Sequence, residues 1–236
     1  MSINNVALLG ANGNLGAAVL SALLANKFSV TVLKRESSQS PDDYPSNVRI
    51  VRYQETLSSI TSALQNQDAF VATINGSQTP LLKLCADACI AAGVRRFIPS
   101  DFGSCDSASL LTQELVPLYR HKTAMREYLI ELNRSHPEFT WTSLVCGHFF
   151  DWKLEFLHLN LAERKADMLD DGATKFSIST LARVAEATAA VLRKPQETAN
   201  RMLYVQSFRS SQAEILAAFE RATEAKWEVT RYDSQK

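Results

Sequence analysis

The chain has 236 residues, enough for one large domain or one domain with a small lobe. Apolar residues make up 46% of it, which can fill a sizeable core and excludes intrinsic disorder. Its 25 basic residues equal its 25 acidic ones and form no run, so no field is offered to nucleic acid or an anionic membrane, and no apolar run reaches the roughly 18 residues of a membrane span.

The chain enters the apolar run Val6–Leu9 with no charged leader or cleavage site before it, so a cytoplasmic protein is expected. That run ends at Gly10 and reads as a strand buried on both faces. Asn14–Asn26 follows, with Leu15, Val19, Leu20, Leu23 and Leu24 at helical spacing. Val30–Leu33 and Val48–Val51 are predicted strands around a polar loop, Ser37–Ser46. Next come a helix over Ser58–Leu64, a strand over Ala69–Ile74, a helix over Pro80–Ala92 and a strand over Arg96–Ile98. Pro80 sits in the first turn of its helix and Gly93 just past the end. The alternation predicts an α/β fold: a Rossmann-type, doubly wound parallel sheet with helices on both faces. Right-handed crossovers put every strand's carboxyl end on one edge, where ligands bind at the switch point.

Beyond Phe102 a polar loop, Ser104–Ser109, leads to a long helix over Leu118–Arg134 and a sixth strand over Thr140–Val145. The aromatic stretch Phe149–Leu161 is expected to be helical. Thr180–Leu192 and Gln212–Ala225 are predicted helices, and Met202–Val205 and Trp227–Tyr232 late strands. Residues 1–147 are therefore expected to bind a dinucleotide. Residues 148–236 are expected to form a partial substrate lobe interleaved with the end of the sheet. Of the four cysteines, Cys85 and Cys89 share a helix face but lack the second pair that a zinc site needs, and all four, with Cys105 and Cys146, read as reduced, buried thiols.

Gly10, Ala11, Asn12, Gly13, Asn14, Leu15 and Gly16 join the first strand to the first helix. Gly10 permits a tight exit, Gly13 removes a side chain where pyrophosphate approaches, and Gly16 lets helix and strand pack closely, with helix N–H groups aimed at the phosphates. The spacing is GxxGxxG rather than GxGxxG. An NAD site usually has an acid at the end of the second strand, on the ribose 2′-hydroxyl. Here Arg35 stands there, suited to grip a 2′-phosphate bidentately, with Ser37 and Ser38 beside it. NADPH is thus the expected cofactor; Glu36 would favour NADH if the register slipped by one.

With these residues in place, the chain resembles the NmrA-like and isoflavone-reductase-like family of atypical short-chain dehydrogenase/reductases. The loop GANGNLG, the strand end LKRESS, Asp68–Ile74 and the segment AGVRRFIPSDFG over 92–103 carry the likeness; the family commonly reads AGVKRFxPSEFG at the last. The resemblance implies a catalytic lysine on the helix after the fifth strand, at Lys122, and a nucleotide-contacting arginine at Arg126. Four residues apart, these two share a helix face, so both are expected to face the cofactor, with a nearby cation lowering the lysine's pKa. The YxxxK pair is absent: Tyr119 precedes Lys122 by three. The resemblance also places aromatics after the sixth strand against nicotinamide and substrate, here His148, Phe149, Phe150 and Trp152; packing in the core is the alternative for these rings, and a structural role that for His148.

Family members usually continue beyond the strand that Trp227–Tyr232 resembles, so the chain reads as ending in mid-lobe, with a more open pocket. Two functions remain open. One is an NADPH-dependent reductase transferring hydride to an aromatic or polyketide-like small molecule, in the manner of secondary metabolism. The other is a non-catalytic NAD(P) sensor, as in the family's regulatory branch; a sugar-nucleotide epimerase is disfavoured by the missing YxxxK. The expected partners are a small aromatic substrate and a second copy of the chain, with no metal, nucleic acid or membrane.

Overall fold

Short strands, all but the edge strand Arg49–Tyr53 buried on both faces, dominate the first half of the chain in the computed structural model, which describes residues 2–234. They are β1 (Asn5–Leu9), β2 (Ser29–Arg35), β3 (Arg49–Tyr53), β4 (Ala69–Ala72) and β5 (Arg96–Ile98), with α1 (Asn14–Ala25), α2 (Leu57–Ala63) and α3 (Thr79–Ala92) between them. A short α4 (Leu110–Leu115) and a long α5 (Leu118–Ser135) lead to β6 (Thr140–Val145). The remainder comprises β7 (His148–Phe149), β8 (Leu159–Asn160), β9 (Lys165–Leu169), β10 (Phe176–Ser179), α6 (Leu181–Arg193), β11 (Arg201–Tyr204), β12 (Phe208–Ser210), α7 (Gln212–Thr223) and β13 (Glu228–Tyr232).

The central sheet has the order β3-β2-β1-β4-β5-β6-β11, and every neighbouring pair in it is parallel. This is the Rossmann-like α/β fold expected. The chain winds outward from β1 to β3 and then restarts on β1's other side with β4, so the switch point lies between β1 and β4. The two-residue period of a strand divides the core. Val6, Leu8, Val32, Val71 and Ile98 meet α1 and α6 on one face, while Ala7, Leu9, Leu33, Phe70 and Phe97 meet α2, α3 and α5 on the other. A one-residue slip would exchange the two sets, and each large side chain contributes about 1.5–3 kcal/mol by being buried, so the register is strongly specified.

Helix ends follow local chemistry. Thr56, Ser109, Thr180 and Ser211 each cap the helix that follows by accepting a backbone N–H. Gly93 closes α3 in a left-handed conformation, φ 76°. Arg96 pins the far half of the sheet: it is 1% exposed and donates to Thr140, Thr142 and Thr198 hydroxyls and to the Pro195 carbonyl, so strands β5 and β6 are tied to the turn before β11.

The second part of the chain departs from expectation. Phe149–Leu161 is not a helix: it is β7, one 3₁₀ turn over Leu154–Leu157, and β8. The backbone is extended at Lys153 and left-handed at His158, φ 59°, so no helix can propagate through either. Two small sheets, β12-β10-β7 and β13-β9-β8, carry strands β9, β10 and β12, which were not among the expected elements. They enclose a separate core of Leu157, Leu159, Met168, Ile178, Leu216 and Trp227 with Phe150 and Phe219 against it. Meanwhile α6 packs on α1, and β11 extends the central sheet beside β6. Cys85, Cys89 and Cys146 are buried thiols, whereas Cys105 is exposed. Among the described residues no helix is long and apolar enough to cross a membrane, and no His/Cys/Asp/Glu group could hold a metal ion.

Candidate active site

Gly10 leaves β1 at φ +95°, a left-handed backbone; a Cβ there would stand 2.8 Å from Thr73 Oγ1, and one on Gly16 would drive into the Gly10 carbonyl. These two positions let α1 start immediately above β1. Gly13 is the residue preceding the helix, its N–H donating to the Gly10 carbonyl at 3.0 Å. No side chain caps α1 and its first turn holds no acid, so its N-terminus faces outward bare, the arrangement that attracts an anion. Gly10, Ala11, Asn12 and Gly13 line a cleft of about 310 Å³ whose opposite wall comes from the end of β2. Asn14, Leu15 and Gly16 lie just behind it, and Leu15 packs into the core.

Arg35 lines that cleft with Ser37 and Ser38. Its Nη2 donates to Gln78 Oε1 at 2.6 Å, and its Nε pairs with Glu55 at 2.9 Å. Glu36 points elsewhere, accepting from Gln54 Nε2 at 2.8 Å, and is not among the cleft's walls. The neighbouring Lys34 escaped the sequence reading. Nearly buried, it donates to the Ser40 and Pro41 carbonyls, at 2.6 and 3.0 Å, and pairs with Asp42, which Arg52 also holds at 2.7 Å. The hydrogen bond from Lys34, aided by Arg52, keeps the Asp42 carboxyl below the ordinary carboxylate range. The loop is thereby folded back over Asn12, which donates to Pro41 O at 3.2 Å and accepts from the Tyr44 hydroxyl.

A second cluster stands at the carboxyl end of β5. Lys122 and Arg126, one turn apart on α5, do share a face. Lys122 Nζ donates to the Ser100 carbonyl at 3.3 Å and to the Asp101 carbonyl, while its stem passes Gly76, on which a Cβ would stand 3.5 Å from Lys122 Cγ. Burial is the main cause that pushes the Lys122 amine's pKa down; Arg126 adds to it, against the pull of Asp101, so the cation invoked from sequence is the lesser cause. Arg126 turns to acids rather than to the cleft, with Asp106 and Asp101 each at 2.9 Å and the Ser107 hydroxyl at 2.8 Å. Burial alone would lower its pKa, but the Asp106 and Asp101 carboxylates raise it. Tyr119 is occupied by Ser104, whose hydroxyl lies 2.5 Å away, and burial raises the phenol's pKa. Asp101 and Ser100 were not singled out from sequence.

The aromatics after β6 divide. Phe150 stacks on Phe219 and meets Phe208, inside the small core. Phe149, Trp152 and Phe156 form an edge-on chain with ring centres 5.8 and 5.7 Å apart, and Trp152 and Phe156 remain exposed. His148 packs edge-on to Phe176 at 5.4 Å; burial, and then the nearby His158, lower its pKa.

This arrangement has relatives. The family model described as the NmrA-like family matches residues 3–235. An oxidoreductase of Penicillium oxalicum, poxI, is 33% identical over 228 residues, covering 95% of this chain and 72% of the relative. An oxidoreductase of Aspergillus flavus, aprR, is 33% identical over 234 residues, covering 98% and 77%. Among solved structures, AtPrR2 with NADP+ and (+)pinoresinol is similar at TM-score 0.82 and 23% identity, over 100% of this chain and 80% of that one. The binary complex of leucoanthocyanidin reductase with NADPH from Vitis vinifera is similar at 0.83 and 18%, over 98% and 79%. At those identities the solved structures establish the fold. A match along nearly the whole chain, with 33% identity to relatives of which it covers 72% and 77%, establishes more: the chain belongs to the NmrA-like family.

Proposed function

We propose that the chain is an NADPH-dependent reductase that passes hydride to an aromatic or polyketide-like small molecule. One observation carries this reading: the loop after β4 joins both clusters. Ile74 lines the glycine cleft, Gln78 receives Arg35, and Gly76 makes room for the Lys122 stem. A dinucleotide lying along this edge would have its ends at Arg35 and near Lys122. The residues fit such a ligand. The uncapped start of α1 suits a pyrophosphate, since nothing but a glycine intervenes there. Arg35, Ser37 and Ser38 suit a 2′-phosphate. The relatives named oxidoreductases, and the neighbours that carry NADP+ or NADPH, point the same way.

The bound cofactor supplies the hydride. Lys122 holds a proton at Nζ between two carbonyls and delivers it to the acceptor's developing anion. Arg126 braces this end of α5 through Asp101 and Asp106. The exposed Trp152 and Phe156 offer ring faces to a flat substrate, while Phe150 holds the small core together. Residues 1–147 hold the cofactor in this scheme and 148–236 complete the substrate side.

Calorimetric titration with NADPH and NADH, followed by NADPH oxidation over a panel of enones, quinones and benzylic ethers, tests it. Tighter binding of NADPH and turnover of an aromatic acceptor are expected. Binding of neither nucleotide would overturn the reading, and binding without turnover across the panel would return the protein to a sensing role.

A further inference from the structure

Orphaned buried polar atoms gather around Lys122. Six described side-chain N or O atoms are buried without a hydrogen-bond partner, and three of them belong to one cluster: Ser100 Oγ, Asp101 Oδ1 and Arg126 Nε. Leaving such atoms unpaired is costly, so a concentration of them at one place calls for an explanation. Asp101 is central. It is 2% exposed, and its Oδ2 accepts from Arg126 at 2.9 Å and from the Ser143 hydroxyl. Its main-chain carbonyl accepts from Lys122 Nζ. One residue therefore touches both Lys122 and Arg126, the lysine through its backbone and the arginine through its side chain.

We infer that Asp101 is the positioning residue for Lys122: its carbonyl fixes the ammonium in place, and its buried carboxylate supplies the counter-charge that keeps a proton on it. Every charged or titratable group facing the amine can be sorted by sign. Asp101, after β5, favours the ammonium, as do the Cys146 thiol after β6 and the Cys105 thiol between β5 and α4. Burial and Arg126 oppose it. Cys146 is itself pushed up to about 12, chiefly by burial and then by Asp101, so it stays a neutral thiol near neutrality and adds little charge. Tyr119, 6.0 Å away as a ring, is raised by burial and also stays neutral. Asp106 acts at one remove, through Arg126. Among the described residues that leaves Asp101 as the carboxylate that bears most on Lys122. Its Oδ1, without a protein partner, fits the role, because fewer donors on a carboxylate leave more of its charge uncompensated in a buried site.

The inference rests on the reading that Lys122 moves a proton, but it can be tested without turnover. Competitive acetylation of the folded protein across a pH range, with Lys122 followed by mass spectrometry, reads the amine's titration directly. Asp101→Asn is expected to move that titration down by about one pH unit, a tenfold weaker hold on the proton, and Asp101→Glu to restore it. Arg126→Gln is expected to move it up. Opposite directions for the two substitutions are a signature that loosened packing does not produce. If Asp101→Asn fails to fold, the double variant Asp101→Asn/Arg126→Gln, which removes the buried Asp101–Arg126 pair as a whole, decides: a Lys122 titration below that of Arg126→Gln alone supports the role of Asp101, and one no lower overturns it. An unmoved titration in Asp101→Asn, or a shift of the same sign in Asp101→Asn and Arg126→Gln, overturns the inference. The high-pH limb of turnover should shift with the labelling curve. Labelling that shifts as expected in a protein without turnover sinks the reductase reading and leaves the role of Asp101 standing.

Discussion

Arg35, on the wall of the glycine cleft, and its partner Glu55 stand in solvent, 43% and 49% exposed, beside the buried Lys34. At the end of β5 the charged groups are closed in, with Arg126 at 11% and Asp101 at 2%. In the first place backbone N–H groups at the start of a helix would be the main donors to a ligand, beside an arginine that solvent reaches. In the second, Arg126 holds Asp101 and Asp106, and the Lys122 amine is held by two carbonyls. A binding site tolerates water and mobile ions because its ligand brings its own charge. A proton-transfer site needs its balance already set before the ligand arrives.

This contrast can be broken by substitution. The largest effect is expected from Lys122→Met, which should lower turnover by about 10²- to 10⁴-fold while leaving NADPH affinity unchanged by calorimetry. Retained turnover would remove the proton role from this lysine. The pH dependence has a definite sign. The protonated amine is the donor, and burial holds its pKa below the ordinary 10.5, so turnover should fall with rising pH before that value is reached. Next is Arg126→Ala, which strands Asp101 in the interior and should cost about 3–5 kcal/mol in urea unfolding. A loss below 1 kcal/mol would show that the second cluster is as loosely held as the first. Arg35→Ala should weaken NADPH by about 1.5–3 kcal/mol with little effect on NADH and none on the melting temperature, and raised salt should erode NADPH binding in the parent protein but not in the variant. Smallest is Glu36→Gln, expected within about 0.5 kcal/mol in stability and neutral for both nucleotides, since its carboxylate serves only Gln54.

The two regions also differed in how plainly the amino-acid sequence announced them. The cleft is local: a strand, three glycines, a helix and the next strand end lie within Val6–Arg35, and each has a pattern of its own. The β5 cluster is assembled from three separate segments, at Ser100–Asp106, Lys122–Arg126 and Ser143. Lys122 was found through resemblance, whereas an aspartate between a strand and a Phe-Gly pair gives no sign that it will be buried. Lys34 was passed over because a lysine in a strand end reads as solvated, although β2 is buried on both faces from Val30 to Lys34. In the lobe the strands are two to five residues long and pair with distant partners, β13 with β9 and β12 with β10. Ala166 and Met168, alternating with exposed neighbours, were a readable strand signal. Phe149–Leu161 misled because aromatic content alone does not distinguish a helix from a strand–turn–strand.

Arg96 has no carboxylate among its hydrogen-bond partners, only hydroxyls and a carbonyl drawn from β6 and the Pro195–Thr198 turn. If the turn peeled away, the guanidinium would lose half of its ligands while still wedged under the sheet. Fraying of the outermost strand is therefore coupled to the middle of the molecule. Amide exchange in β11 should proceed in step with β5 and β6, although β11 is an edge strand, so the far rim of the sheet opens late and together with its interior.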